Sequence, residues 1–498
     1  MDIKKNFESK LEQKKYAFLA IFLISFLVFW TSYLNQNFFW DDERFIFLNP
    51  SVLQAKSWMS FWNFNSPFFK SWPLGYSFFW FLIKHSPMDS LSFYKSLNIF
   101  FHALNAYLVL RILKIFNFPH PFLLSLIFLL HPLHVETVSW IFQLLTIVSF
   151  SFFLLSFLFL LRFIHKKNLA FIFVAFIFFT FSLWTKSISL LSPFLFVAIF
   201  MISEAKKKYY LFMVPFFLMS FYVGIINIHG TSLALSQQKN NSIDKTGPLV
   251  NFIHNGMENI YSPPLQKIQA DNDTIFYDFL FDSNKKIPDV KIDRIQVFSQ
   301  APWHYFSKVL IPINLQFIYP NINYHILLNG TAIFLLFILP FILAYSCRDK
   351  IWILIPVMSF VFLLPYCGVT KIAFFYWSNV SDRYTYYFIL TLVFALGIFL
   401  KNKKSKHVKN ILITYCIFLS IFNLNYGFKF NTPRRLYEEI IQYKKNPILY
   451  SLLFEQYLLK LDVVNAQKTL DEERAIFPYN SQLETDIIRL NSLRSFTK

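Results

Sequence analysis

The chain has 498 residues, 55% hydrophobic and 15% charged, with a mean hydropathy of +0.43. Several uninterrupted apolar runs of about 18 residues or more exclude an ordinary soluble domain and predict a polytopic helical membrane protein. Nine glycines beside 67 phenylalanines argue against a barrel of short strands and against a glycine-packed transporter core, and the net charge of +19 is scattered over short connectors instead of forming a nucleic-acid face.

The basic stretch "MDIKKNFESKLEQKK" precedes a first span, 16–34, with no small-residue cleavage site after it, so it reads as a retained signal-anchor. Directly beyond, "NQNFFWDDERFIFLNP" carries Asp41, Asp42 and Glu43. A solvated loop is the plain reading of such a triplet. Trp40 and Phe38–Phe39, however, suggest an interfacial anchor, where acids are not needed for solubility. A carboxylate held there suits a general base taking a hydroxyl proton, or a ligand of a divalent cation. The rest of the first loop (35–95) contains "SWMSFWNFNSPFFKSWPLGYSFFWFLI", which Pro and polar residues break too often for a span and which suits the interface.

The next span, 96–114, places Asn98, His102 and Asn105 on one helical stripe, either interhelical glue or the lining of a substrate cavity. Span 121–137 ends in "HPLHVETVSW", with His131, His134 and Glu136. Their spacing is not that of a helical zinc site, so hydrogen bonding to a head group or sugar is favoured over metal binding, with helix termination at Pro132 the bland alternative.

Spans 141–161, 169–185, 187–203 and 211–229 follow, and among them Lys186 is the one charge between Lys167 and Glu204. Such a lysine is functional or paired by default, and its depth matches a lipid phosphate. Within the long loop 230–325, residues 236–295 read as a mobile loop or lid, and "APWHYFSKVLIPINLQFIYP" reads as interfacial. Arg383 in "SDRYTYY" lies between spans 326–345 and 351–366 on one side and 385–400 and 410–427 on the other, with Asp382 as its adjacent neutraliser.

Lys and Arg cluster at Lys4 to Lys15, Arg111 with Lys114, Arg162 to Lys167, Lys206 to Lys208, Arg348 with Lys350, and Lys401 to Lys409. These fall at every second exit of the eleven spans, which predicts a cytoplasmic N-terminus, extracytoplasmic acidic loops and an extracytoplasmic tail. The tail, 428–498, reads as a degenerate, tetratricopeptide-like helical hairpin. Cys347, Cys367 and Cys416 are too dispersed for a disulfide framework or a zinc site.

"FFWDDERFIFLNPSV", "LNIFFHALNAYLV", "LLHPLHVETVSW", "LWTKSISLLSP", "YFSKVLIPINLQFIYP" and "NVSDRYTYYFILTLVFALG" occur in the order seen in the transmembrane-and-tetratricopeptide proteins, which the chain resembles over roughly residues 20–400. The resemblance implies a GT-C-like bundle of about eleven transmembrane helices (1–427). It also implies a polyprenyl-phosphate sugar donor carrying mannose or a similar hexose, a protein or glycan acceptor, and inverting transfer. On that reading Asp41 is the base and Asp42 its support. Glu43, His102, His131, His134, Glu136, Lys186 and Arg383 are the candidate substrate contacts, with Lys186 or Arg383 on the leaving phosphate. Membrane lipid is a partner and nucleic acid is not; no cofactor is implied beyond the open question of a divalent cation. A bias toward Phe, Lys, Ile and Asn points to a bacterial plasma membrane. Two segments depart from the family pattern: Trp72 precedes Pro73-Leu74 where relatives usually carry Arg, and "IFQLLTIV" (141–148) is uncharged where they carry basic and acidic residues. Glycosylation of a lipid or surface polysaccharide by the same chemistry is the alternative within the fold, and a non-catalytic scaffold or a lipid-linked glycan transporter is the rival class.

Overall fold

A computed structural model describes residues 16–34, 39–40, 42–47, 49–63, 71–86, 91–240, 294–320, 324–369, 377–401, 406–458, 460–478, 483 and 486–491. Every regular element among them is helical. In chain order these are α1 (Ala17–Leu34), α2 (Pro73–His85), α3 (Leu91–Ile115), α4 (Pro121–Leu130), α5 (His134–Ser139), α6 (Leu144–Lys166), α7 (Leu169–Thr185) and α8 (Ser192–Ile202). There follow α9 (Val214–Asn240), α10 (Arg294–Leu310), α11 (Ile326–Ser346), α12 (Leu354–Leu363), α13 (Ile389–Phe399) and α14 (Lys406–Phe430), then α15 (Pro433–Tyr443), α16 (Pro447–Leu458) and α17 (Val463–Ile476).

All eleven expected apolar segments contain a helix, but six, not eleven, are long and apolar enough to cross a bilayer. These are Ala17–Leu34, Leu91–Ile115, Ile141–Lys166, Lys207–Asn227, Ile326–Ser346 and His407–Phe430. The other five helices run 10–17 residues. The shortfall has local causes. Segment 121–137 breaks after Leu130 because Pro132 pushes the preceding residue out of the helical region, and His131 is extended with ψ 124. At 1.5 Å per residue, α4 covers only about half of a hydrocarbon core. Helix α13 starts four residues late because Asp382–Thr385 forms a 3-10 turn, and α12 has 3-10 turns on both sides.

The chain divides into two compact units. The first, Met1–Asn227 with Ile292–Asn431, holds the helices from α1 to α8 and from α10 to α14. Helices α3, α4 and α6 form its interior: Leu129, Phe128, Phe150, Phe153 and Phe157 are fully or nearly fully buried. Helix α6 packs along α7, and α3 lies against α1, α4 and α6. The rim helices keep apolar side chains outside: Leu23 and Leu27 on α1, Phe221 on α9, Ile417 and Ile421 on α14. Such faces are ill-suited to water and well suited to lipid.

The second unit, Ile228–Lys291 with Thr432–Lys498, contains α15 to α17. Pro433 and Pro447 each start a helix, where the missing N–H costs nothing. Helix α15 buries Leu436, Tyr437, Ile440 and Ile441 on one face. Arg489 is held by Glu455 at 2.5 Å and Asp486 at 3.0 Å. The boundary falls at Asn431, four residues beyond the one expected, and most of 236–295 lies outside the described residues.

One close approach in the first unit yields a test. A Cβ on Gly397 of α13 would sit inside the contact distance of the Phe118 ring. That ring is wedged against Phe116 and Phe394 and has no room to turn away. Gly397→Ala is expected to destabilise the bundle by about 1–3 kcal/mol, the usual cost of overpacking, read as a lowered melting temperature in detergent.

Candidate functional site

The helices sort the charged residues to two ends. Helix α7 starts beside Lys167 and ends at Lys186, so those cations are a helix length apart. Around Lys167 the basic connectors gather. Its ammonium lies 5.0 Å from the Tyr209 ring, Lys350 meets Glu204 at 3.0 Å, and Lys401 meets Asp349 at 2.6 Å. The opposite end holds Asp42, Glu136, Lys186 and Arg383, at or beside the start of α5, α6 and α13 and the end of α7.

Asp42 is fully buried. Its Oδ2 accepts the Phe39 N–H at 3.1 Å and its Oδ1 the Phe142 N–H at 2.8 Å, which ties the first loop to the entrance of α6. Buried Lys95 of α3 is its electrostatic partner. Phe39 is buried and Trp40 half-buried. Phe39 packs edge-on to Trp140, and Trp40 packs edge-on to Phe317 and Trp377. Asp41 lies outside the described residues, and Glu43 opens a short π-helical turn, Glu43–Phe47.

The α3 stripe bonds to neighbouring segments. Asn98 donates to the carbonyls of Val138 and Trp140 at 3.0 and 2.9 Å. His102 Nε2 faces the Leu129 carbonyl at 3.0 Å, which requires that nitrogen to carry the proton and leaves Nδ1 to accept from the Tyr386 hydroxyl at 2.8 Å. Asn105 donates to the Ile147 carbonyl and to Tyr386, while Ser151 donates to its oxygen. All three stripe residues are fully buried. They act as interhelical cross-links.

His131 is held the same way: Nε2 donates to the Val309 carbonyl at 3.0 Å and Nδ1 accepts the Leu133 N–H at 3.3 Å. His134 stacks edge-on to His102 and Tyr386. Glu136 pairs with Arg383 through the guanidinium, and also accepts the Arg383 N–H at 3.2 Å and the Ser381 hydroxyl at 3.1 Å. The guanidinium stacks on Trp140, its carbon 5.1 Å from the ring centre.

Asp382 is therefore not the shown neutraliser of Arg383. It accepts the Tyr319 hydroxyl at 2.8 Å, and burial, reinforced by Glu136, raises its pKa well above the carboxylate range. Consecutive residues in this turn point different ways.

Lys186 sits half-buried where α7 gives way to a 3-10 turn. Its ammonium donates to Gln143 Oε1 at 3.0 Å and to Thr146 Oγ1 at 2.6 Å. It lies 5.6 Å from the Trp72 ring and 5.8 Å from that of Phe142. In the sequence, Trp72, Gln143 and Thr146 stand out only as parts of the two segments that depart from the family pattern. A signal was present: Gln143 and Thr146 are the polar residues of "IFQLLTIV" and stand three apart, hence on one helical face.

Among the described residues, no group of three or more His, Cys, Asp or Glu side chains is arranged to hold a metal ion. Asp42, the one first-loop carboxylate described, has both oxygens on backbone amides. No model of a known protein family matches the chain, and no curated protein sequence does either.

Glu136→Gln removes the carboxylate from a buried guanidinium and should cost about 3–5 kcal/mol, whereas Glu136→Leu with Arg383→Leu should cost less than either single change, in a double-mutant cycle read by thermal melting.

Proposed function

We propose that the chain is a membrane glycosyltransferase of the GT-C type, moving mannose or a similar hexose from a polyprenyl-phosphate carrier to an acceptor hydroxyl with inversion. The observation that carries this reading is the meeting at Phe142. Its N–H holds the first-loop acid Asp42 at 2.8 Å, and its ring lies 5.8 Å from the ammonium of Lys186. An acidic loop and a lysine at lipid head-group depth, 144 residues apart in sequence, thereby share one end of the bundle.

In the proposed reaction the acceptor oxygen attacks the anomeric carbon from the face opposite the phosphate. The new carbon–oxygen bond forms as the carbon–phosphate-oxygen bond breaks, and the electron pair leaves with polyprenyl phosphate. Asp41 takes the acceptor's proton and Lys186 stabilises the charge growing on the phosphate. Asp42 acts on the neighbouring backbone, since both its oxygens accept amides. The basic end lies in the cytoplasm and the site end outside it, on the positive-inside rule, in a bacterial plasma membrane. The acceptor is a protein or glycan hydroxyl.

One feature favours the rival, a scaffold or glycan transporter: Asp42, Glu136 and His131 are all engaged in internal bonds. Purified protein in lipid nanodiscs separates the two. With a mannosyl-phosphoryl polyprenol, Asp41→Asn is expected to lower transfer roughly 10²-fold or more while carrier binding persists. Lys186→Met is expected to weaken carrier binding about 10- to 100-fold, the worth of a charge-assisted contact. Carrier binding by wild type with no transfer to protein or glycan acceptors would favour the transporter.

A further inference from the structure

The basic end carries a cleft that the donor site does not use. Helix α8 ends at Ile202, and the chain turns back with Glu204 in the left-handed region, φ 51, a position that usually falls to glycine. The turn is closed by the Ser203 N–H on the Ile199 carbonyl and the Ala205 N–H on the Phe200 carbonyl, both at 3.0 Å. A glutamate there accepts the residual strain of the turn and gains a partner, because its carboxylate takes the Lys350 ammonium at 3.0 Å. That ion pair joins the connector after α8 to the connector after α11, where Lys350 opens the 3-10 turn Lys350–Ile353. Lys207 opens another, Lys207–Met213, in which the Tyr210 ring packs edge-on to Phe200 and gives the cleft a firm wall. Met201, Glu204, Ala205, Lys207, Tyr210 and Lys350 line a space of about 650 Å³. Sites for small ligands run to roughly 300–1,000 Å³.

The lining holds two lysines and one carboxylate, so its walls carry one positive charge in excess. The neighbouring acid, Asp349, is engaged by Lys401 at 2.6 Å and by the Ile351 N–H. Glu204 takes one of the three donors of the Lys350 ammonium and leaves the others for a second acceptor. Two of the spans, Lys207–Asn227 and Ile326–Ser346, begin or end at this level. Their exposed side chains nearest that end are apolar: Leu211, Val214 and Leu218 on one, and Phe341, Ile342 and Tyr345 on the other. A ligand with a small anionic head and hydrocarbon below it matches the charge and the apolar faces together. A soluble phosphate matches the charge alone.

We propose that this cleft binds the head group of an anionic phospholipid in the leaflet at the basic end, with the phosphodiester on Lys207 and Lys350 and the acyl chains along the two spans. Basic pockets between spans suit such head groups, and a phosphodiester's single negative charge balances the excess. Glu204 holds Lys350 in place and, by its own charge, limits the affinity. The proposal is independent of sugar transfer and of Lys186.

Native mass spectrometry of the full-length protein tests it, with equal amounts of phosphatidylglycerol and phosphatidylcholine of the same acyl chains added in detergent. Wild type is expected to retain phosphatidylglycerol in excess, and equal retention of the two lipids overturns the proposal. Lys207→Met and Lys350→Met are each expected to weaken phosphatidylglycerol retention about fivefold, the usual worth of one lysine beside an anionic lipid, and together to remove the preference. Lys207→Met alone decides where Lys350→Met lowers the melting temperature. Glu204→Gln is expected to strengthen retention, an effect that misfolding cannot mimic. Lys206→Met with Lys208→Met removes the same charge from side chains that do not line the cleft, and should leave the preference in place. An equal loss in that control means diffuse attraction to the basic end and overturns the site, as does a preference that survives the loss of Lys207 and Lys350. Glycerol phosphate, a head group without acyl chains, is expected not to compete even in large excess. Displacement by it overturns the lipid and makes a soluble phosphate the ligand.

Discussion

The site end of the bundle depends on how the chain survives its break between Leu130 and Leu144. A continuous helix satisfies its own backbone, whereas this stretch turns at His131-Pro132, makes the short helix α5 and then a 3-10 turn. In surroundings without water, each carbonyl left unpaired costs about 1–3 kcal/mol. The neighbours supply the donors: His102 to Leu129, Asn423 to Leu130, and Asn98 to Val138 and Trp140. Asp42 takes the Phe142 amide from the other side. The polar stripe of α3 is thus the complement of a non-helical passage, and its residues are interior because that passage is.

Helix placement was legible because apolar runs are read almost directly from composition, and each expected segment does contain a helix. Helix length was not, because the breaks lie in residues such as His131-Pro132 and Asp382–Thr385, whose turns are set by partners elsewhere. His102 was visible as a buried polar residue. Its partner Tyr386, 284 residues away, was not, since nothing local marks it. Adjacency misled in one place: Arg383 reaches past Asp382 to Glu136, 247 residues distant. Lys186 stood out as a lone charge in an apolar stretch, whereas its grip by Gln143 and Thr146 required two helices to be brought together.

Aromatic packing explains why such a glycine-poor chain still closes. Lipid offers no hydrophobic drive between helices, so contact quality must hold them. Phe150 touches the rings of Phe128, Phe153, Tyr386 and Tyr387, and Phe196 touches those of Phe153, Phe157, Phe179 and Phe216. Rings fill the space between helices, and Gly75, Gly397 and Gly427 stand where a neighbour leaves no room for a Cβ, whereas Gly330 faces open space.

At Gly75 a Cβ would stand 2.6 Å from the Thr185 carbonyl oxygen, and this seam divides the walls of the Lys186 site into two kinds. On one side backbone meets backbone, and no exchange of side chains can widen or narrow it without moving α2 as a body. On the other side stand Trp72, Gln143 and Thr146, each replaceable while the helices stay where they are. The frame is therefore rigid under sequence drift and the lining is not. Changes at residues 72 and 143 alter what the lysine meets while the α2–α7 backbone contact stays the same.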